Sequence, residues 1–180
     1  CLGRIKDVNK AVPMHFQQTD SVILMIGERK DELGGSMYYN LYGELGAHVP
    51  QPDLEEVKKQ IFALTDCIDD GIVFSCHDIA DGGVVSAIAE MTFGNGIGCD
   101  VNVSSDLSND KILFSETGGF ILEVSIGNIH FVQRLFSDRS IPVYDIGVTT
   151  PQQFLKMNKL IMLPISKARN AWKNGLTEKL

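Results

Sequence analysis

Hydrophobic and polar positions along the chain alternate in blocks that are typical of mixed strands and helices. Residues 22–26 form a continuous apolar run of strand length, which favours a strand buried on both faces. A second apolar run, residues 72–74, leads through a polar and glycine-rich stretch into the apolar helical pattern of residues 84–93. The pattern therefore predicts a strand, a turn and a helix in direct succession.

Two further helices are marked by residues that cap helix starts. Ser36 precedes a helical pattern over residues 37–45, and Asp53 precedes a second pattern with Glu56 three residues later. The apolar residues of this second helix recur every three or four positions and predict its buried side, namely Leu54, Val57, Ile61, Leu64 and Ile68.

The second half of the chain continues the alternation. Residues 97–103 read as a half-buried strand, residues 104–110 as a polar loop, and Asn128 as the cap of another helix. Further strands are predicted at residues 120–124, 143–148, 154–157 and 160–163, the last two joined by a tight turn at Asn158, and a final helix runs from Ser166 through Trp172 toward Leu176. These elements predict a mixed α/β (α+β) fold in which helices flank a layered mixed sheet.

Composition and charge narrow the class of protein. With 180 residues, 44% of them hydrophobic, we expect one domain spanning residues 1–180. The net charge of −7 and the lack of a basic block argue against nucleic acid or an anionic membrane as a partner. The longest apolar run is far too short to span a bilayer and no signal segment opens the chain, so we expect a cytoplasmic protein.

The four cysteines predict inert thiols. Cys1, Cys67, Cys76 and Cys99 have no Cys-x-x-Cys spacing, which argues against a disulfide framework and against a metal site. Cys76 is followed by His77, but neighbouring side chains on a strand point to opposite faces, so the two should not share a proton. We therefore predict no nucleophilic pair at this position.

Two glycine turns are candidate anion sites. Gly82 and Gly83 open a helix, where free amides and the helix dipole favour a phosphate. The alternative is that Asp81 caps this helix and the glycines permit close packing. Gly34, Gly35 and Ser36 form a second possible cradle with a hydroxyl group, and here too the alternative is a helix cap.

Five polar residues lie within or beside these turns. His77 is either a packed histidine or a phosphate contact, and Asp78 and Asp81 would repel a phosphate unless a metal ion or a hydroxyl intervened. Ser115 and Glu116 precede a predicted strand, where the carboxylate either orients a ribose hydroxyl or holds the loop. None of these residues has a partner that would make it a catalytic acid or base.

Several blocks together resemble a known family. They are Gly3 to Val8, Leu33-Gly34-Gly35-Ser36 with Tyr38, Gly46 to Pro50 with Asp53, Cys76 to Gly83 with Ala87 and Ala89 to Met91, and Leu113-Phe114-Ser115-Glu116. In order and spacing they resemble the C-terminal domain shared by phosphoribosylformylglycinamidine (FGAM) synthase and aminoimidazole ribonucleotide (AIR) synthase. The combination looks most like the second half of FGAM synthase, and the resemblance covers nearly the whole chain.

The resemblance implies a ligase of purine biosynthesis. Such an enzyme converts formylglycinamide ribonucleotide (FGAR) to the amidine with ATP, by phosphorylating an amide oxygen before ammonia attacks. Ammonia comes from a glutaminase partner, and ATP and Mg²⁺ are bound mainly by an upstream domain. Because the chain begins at Cys1 without a methionine, we expect residues 1–20 to lead in from that domain. We expect the isolated chain to be inactive, because it shows no ATP-binding loop, no glutaminase cysteine and no general base with a positioned partner.

The two halves of such synthases are related by duplication, and one half can hold a nucleotide structurally. The chain departs from the active-half pattern at Thr117-Gly118-Gly119, where a glutamine and a basic residue are usual, and at Thr150, where a glycine is common. Two alternatives stay open. One is a sister enzyme, such as AIR synthase, selenophosphate synthetase, thiamine-monophosphate kinase or a hydrogenase-maturation factor; the other is a non-enzymatic module that binds a phosphate ligand.

Overall fold

Strands and helices alternate in the computed structural model, which describes residue 5 and residues 7–175. The strands are β1 (Val22–Ile26), β2 (Val73–Asp78), β3 (Gly98–Val101), β4 (Phe120–Val124), β5 (Val143–Thr150), β6 (Phe154–Met157) and β7 (Ile161–Pro164). The helices are α1 (Met37–Asn40), α2 (Leu54–Asp69), α3 (Gly83–Thr92), α4 (Asn109–Phe114), α5 (Ile129–Ser137) and α6 (Ile165–Asn174). Short 3₁₀ turns lie at Val8–Lys10 and Ile126–Asn128.

The strands form a seven-stranded sheet in the order β2-β4-β1-β5-β3-β6-β7. Every neighbouring pair is antiparallel except β3 and β6, which run parallel. The predicted mixed sheet is therefore confirmed. The hairpin of β6 and β7 turns through Asn158 and Lys159, both with positive φ.

The strand β1 explains why both faces of the sheet carry a core. Ile23 and Met25 point to one face, which α3 and α4 cover, while Val22, Leu24 and Ile26 point to the other, which α2 and α5 cover. All five residues of β1 are buried. The continuous apolar run is thus the sequence signature of a strand between two helical layers, as predicted.

The two predicted helix caps are confirmed, but α1 is shorter than expected. The Ser36 side chain accepts a hydrogen bond from Tyr39 N, and Asp53 accepts from Glu55 N and Glu56 N. The helix predicted over residues 37–45 ends at Asn40, since Gly43 takes a left-handed φ of 70° and turns the chain away.

The buried side predicted for α2 is partly wrong. Leu54 is 75% exposed and Ile61 is 44% exposed. Leu64 is buried as predicted, and the other buried residues are Gln60, Ala63 and Cys67. The small side chains of Ala63 and Cys67 lie on the buried side of the helix and allow it to lie close to the sheet, while Leu54 and Ile61 lie outside this contact.

Two boundaries near the candidate residues also differ from the predictions. The strand β2 continues to Asp78, so Ser75, Cys76 and His77 belong to the strand rather than to the turn. Helix α4 lies partly within the predicted polar loop, and it includes Leu113 and Phe114. Only Ile112 and Leu113 of this helix are buried, which is too short an apolar pattern to recognise in the sequence. The Gly3 end of the first resemblance block, Cys1 and Leu176 lie outside the described residues.

Candidate functional site at one end of the sheet

The candidate turns converge because three strands end at the same edge of the sheet. Ile26, the last residue of β1, pairs with Phe120, the first residue of β4, and Phe120 also pairs with Asp78 at the end of β2. The segments that follow β1 and β2 and the segment that precedes β4 therefore meet. We refer to residues 33–37, 79–83 and 115–119 as the turn cluster.

One carboxylate joins the three segments of the turn cluster. Glu116 Oε1 accepts hydrogen bonds from Met37 N and from Gly82 N, each at 2.8 Å. Gly82 immediately precedes α3, where a negative charge is favoured by the helix dipole. Of the two alternatives for Glu116, the geometry shows the carboxylate holding the loops together.

The alternative in which Asp81 caps α3 is wrong. The capping residue is Gly82, with a left-handed φ of 78°, and no side chain from its own segment bonds to the helix start. Asp81 is exposed. The left-handed backbone at Gly82 reverses the chain one residue after Asp81, and Glu116 from a distant segment takes the place that a local cap would fill.

The amides of the glycine pair are both engaged. Gly82 N donates to Glu116, and Gly83 N donates to the carbonyl of Ala80 at 3.0 Å. A Cβ atom on residue 83 would lie 2.7 Å from the Leu113 carbonyl oxygen, so glycine allows the helix start to pack against α4. An anion would reach the Gly82 amide only after Glu116 moved away, and the anion site here stays a prediction.

The amides of the other glycine turn, Gly34 and Gly35, also donate to protein oxygens. Gly34 N donates to the carbonyl of His48, and Gly35 N donates to the carbonyl of Leu45, both at 2.7 Å. A Cβ atom on residue 34 would lie 2.6 Å from the His48 carbonyl oxygen, which explains the glycine. The Ser36 hydroxyl caps α1 at 3.2 Å from Tyr39 N. In this conformation the turn serves as a cap and a loop anchor.

His77 is held by partners on both ring nitrogens. Nδ1 lies 2.7 Å from the Asp78 carbonyl oxygen, and Nε2 lies 3.0 Å from Glu90 Oε2. Glu90 also accepts a hydrogen bond from Trp172 Nε1 at 3.2 Å. Both ring nitrogens therefore face oxygen atoms of neighbouring protein groups. His77, Asp78, Asp81 and Glu90 line a shallow cleft of about 270 Å³ beside the start of α3.

The sequence reasoning missed Arg29, which fixes the loop that carries Glu116. The guanidinium is buried and donates to the carbonyls of Thr117 and Gly118. Burial lowers its pKa to about 10, against the opposing effect of the nearby Glu32 carboxylate. A charged residue three positions after a fully buried strand was the available signal. Ser115 is buried next to this loop, and its hydroxyl has no partner among the described residues.

The prediction about the cysteines agrees with the geometry. Cys76 packs against the α2 and α5 side of the sheet, whereas His77 faces Glu90 on α3. Burial raises the pKa of Cys67 to about 11, of Cys76 to about 12 and of Cys99 to about 12. These three thiols are therefore protonated and unreactive at neutral pH.

Apolar side chains are exposed beside the first glycine turn. The turn-side patch consists of Met37, Leu41, Tyr42, Leu45 and Val49, and Leu41 and Leu45 are 80% and 78% exposed. Tyr38 stacks on Phe114 with ring centroids 4.5 Å apart, so the patch is anchored to α4. These five apolar side chains are the exposed surface next to the Gly34 turn. Over residues 7–175 no helix has the length and hydropathy to cross a membrane.

The sequence matches one protein family and is similar to named proteins. The profile of the family described as "AIR synthase related protein, C-terminal domain" matches residues 18–158. The phosphoribosylformylglycinamidine synthase subunit PurL of Methanothrix thermoacetophila is 32% identical over 184 residues, which is 99% of this chain and 24% of that protein. The chain thus spans about a quarter of the length of this relative.

Structural comparison gives the same fold. Thermotoga maritima PurL complexed with FGAR superposes with a TM-score of 0.79 at 16% identity, covering 89% of this chain and 30% of that chain. The same protein complexed with ATP gives a TM-score of 0.73 at 17% identity, covering 89% and 27%. The structure of PurLQS from T. maritima gives 0.71 at 17%, covering 88% and 27%. At these identities the likeness establishes the layered α/β fold.

Proposed function

We propose that this chain, which belongs to the AIR synthase-related family and matches its C-terminal domain, is a single domain of an FGAM synthase and forms part of its second half. In this role it takes part in the ATP-dependent, ligase-type amidation of FGAR in purine biosynthesis, in the cytoplasm. The observation that carries the proposal is the convergence of three family blocks on Glu116 at one end of the sheet.

The domain contributes a wall rather than the reacting groups. Both ring nitrogens of His77 face protein oxygens, and Glu116 Oε1 is engaged by two backbone amides. The three cysteines with raised pKa values are unsuited to glutamine hydrolysis. We therefore assign ammonia production to a glutaminase partner and the chemical step to groups outside this chain.

The described residues do not form a binding site for ATP and Mg²⁺ by themselves. No group of three acidic, histidine or cysteine side chains among them lies close enough to hold a metal ion. The glycine amides that would cradle a phosphate already donate to protein oxygens. We propose, as the family resemblance implies, that the nucleotide and its metal are held mainly by the upstream domain.

The turn-side patch is the proposed contact surface for the upstream half of the synthase. Its exposed side chains lie on the loop that closes over the Gly34 turn. Burying these side chains would stabilise the contact by about 25 cal/mol for each Å² of apolar surface removed from water. The same contact would place the turn cluster at the boundary between the two parts.

Reconstituted turnover tests the proposal. The chain is purified alone and together with the part of its own protein that precedes it, and each sample is assayed for ATP hydrolysis with FGAR and ammonia. We expect turnover only from the combined sample, because the chain alone lacks the reacting groups. Thiamine monophosphate and selenide serve as control substrates. Turnover by the chain alone would refute the division of labour, and a combined sample that uses a control substrate instead of FGAR would assign the chain to a sister enzyme.

A further inference from the structure

The segment that precedes β1 is fixed to the end of α3. Phe16 is fully buried in the core that α3 and α4 cover. Its amide donates at 2.8 Å to the carbonyl of Met91, near the end of α3, and its carbonyl accepts from Asn95 Nδ2 at 2.9 Å. We refer to residues 13–18 as the strap.

The strap also covers part of one edge of the sheet. Strand β2 is the first in the strand order, so among the described strands it has a neighbour, β4, on one side only. On its other side the Cys76 amide donates to the carbonyl of Pro13 at 3.1 Å. An uncovered strand edge presents amides and carbonyls to which other chains can pair. The strap thus supplies a backbone partner at this edge.

A buried carboxylate holds the other end of the strap. Gln17 N and Gln18 N donate to the two oxygens of Glu123 at 2.8 Å and 2.9 Å. Glu123 lies on β4 and also accepts from the hydroxyl of Ser75 on β2 at 2.7 Å. The strap is therefore bonded to α3, β2 and β4 within six residues.

Two of these bonds lie directly beside a side-chain contact. One is made to Cys76, the residue before His77, and the other to Met91, the residue after Glu90. The contact itself joins His77 Nε2 and Glu90 Oε2 at 3.0 Å. The strap consequently joins the backbones of β2 and α3 one residue away from the point where their side chains meet.

The range that matches the family profile begins at residue 18, so most of the strap precedes it. The strap nevertheless supplies a core side chain, Phe16, and bonds on three elements. It is also short, and Met14 and Gln18 are exposed, whereas β1 is buried between two helical layers. A segment with fewer buried contacts opens more easily than the centre of a sheet.

We propose that the strap is a positioning element, anchored by Phe16, that holds β2 against α3 and fixes the contact between His77 and Glu90. The strap opens as one unit while the sheet stays folded. His77 and Glu90 line the cleft beside the start of α3, so opening of the strap alters that cleft. This inference does not depend on the assigned role in FGAR amidation.

Hydrogen exchange on the native chain tests whether the strap is one unit. The amides of Phe16, Gln17, Gln18 and Cys76 each make a hydrogen bond that opening of the strap would break. We expect these four amides to share one protection factor, at least about tenfold lower than that of the Met25 amide in β1. Widely different values among the four amides, or values equal to that of Met25, would overturn the proposal.

Two matched substitutions test whether the strap fixes the side-chain contact. Phe16 and Phe136 are both fully buried, but Phe136 lies on α5, in the core on the opposite face of the sheet. Phe16→Ala and Phe136→Ala remove the same atoms from these two cores, so both should destabilise the chain. Urea denaturation measures the loss in each variant.

Two side-chain signals report on the contact. One is the His77 ring, and the other is the indole N–H of Trp172, the single tryptophan, which donates to Glu90 at 3.2 Å. In NMR spectra we expect Phe16→Ala to shift or broaden both signals and Phe136→Ala to leave both at their native positions. Phe16→Leu keeps most of the buried volume and should restore the native signals.

The pattern across the two alanine variants decides the outcome. Equal changes in both variants would make the effect one of general destabilisation and would overturn the proposal. Unchanged signals in Phe16→Ala would overturn it as well, because the contact would then be independent of the strap. If Phe16→Ala does not fold, Phe16→Val removes fewer atoms and takes its place, with the same expected pattern.

Discussion

Glu116 and Glu123 lie on either side of the start of β4 and use the same chemistry in different surroundings. Glu116 accepts hydrogen bonds from two backbone amides, Met37 N and Gly82 N. Glu123 also accepts from two backbone amides, Gln17 N and Gln18 N, and in addition from the Ser75 hydroxyl. Glu123 is fully buried, whereas Glu116 is half-buried and lines a cavity.

The difference between the two carboxylates separates stability from function. Both oxygens of Glu123 are satisfied by protein donors, so its task is to tie the N-terminal segment to the sheet. Glu116 has one oxygen that accepts from no described residue and that a ligand can reach. Glu123 stabilises the fold by linking two segments inside the core. Glu116 also links segments, but it lies at a cavity, where a ligand can reach its second oxygen.

Removal of the buried carboxylate should have the largest effect. Glu123→Ala leaves three donors without an acceptor, the buried Ser75 hydroxyl and two partly buried backbone amides, at about 1 kcal/mol each, so we expect the free energy of unfolding to fall by about 3 kcal/mol. Urea denaturation followed by circular dichroism measures the change. Glu123→Gln keeps one acceptor oxygen and should lose less. A loss below about 1 kcal/mol for the alanine variant would mean that the comparison overstates the role of burial.

Removal of the cavity carboxylate should have a smaller and more local effect. Glu116→Ala frees two amides that water can partly satisfy, so we expect a loss of about 1 kcal/mol. Hydrogen exchange should accelerate at Met37 and Gly82 but not at Gly83, whose amide donates to Ala80. Uniform acceleration across the sheet would instead make Glu116 a core residue like Glu123.

Sulfate binding should change least. In the native chain Glu116 both occupies the Gly82 amide and repels anions, so its removal should raise the affinity of the α3 start for sulfate by about fivefold. Chemical-shift titration of the Gly82 and Gly83 amides measures this effect. Glu55→Ala removes an equal charge without freeing an amide. If this variant gains as much affinity, the change reflects net charge and the predicted anion site at the glycine pair is wrong.

The sequence predicted the local features of the fold well. The boundaries of β1, β4 and β6 and the caps Ser36 and Asp53 follow from patterns within a few residues, and the structure confirms them. The buried side of α2 could not be inferred in this way, because it depends on how closely Ala63 and Cys67 let the helix approach the sheet. Propensity carries no information on that distance.

The sequence predicted which turns belong to the site, but it did not predict how these turns contact one another. The family blocks named the correct segments, yet the bond from Glu116 to Gly82 spans 34 residues and the bond to Met37 spans 79. Only the strand order brings these segments together. Asp81 was the expected cap because it is the nearest carboxylate in sequence, whereas a distant carboxylate is the nearest in space. Arg29 was missed for the same reason.

The most direct test of the proposed role is hydrogen exchange on this chain with and without the preceding part of its protein. If the end of the sheet that carries the turn cluster faces the rest of an FGAM synthase, residues 33–37, 79–83 and 115–119 and the turn-side patch should gain protection in the complex. Helix α5, on the opposite layer, serves as the internal control and should not change. Protection confined to α5, or exchange that is indifferent to the added part, would contradict the proposed interface.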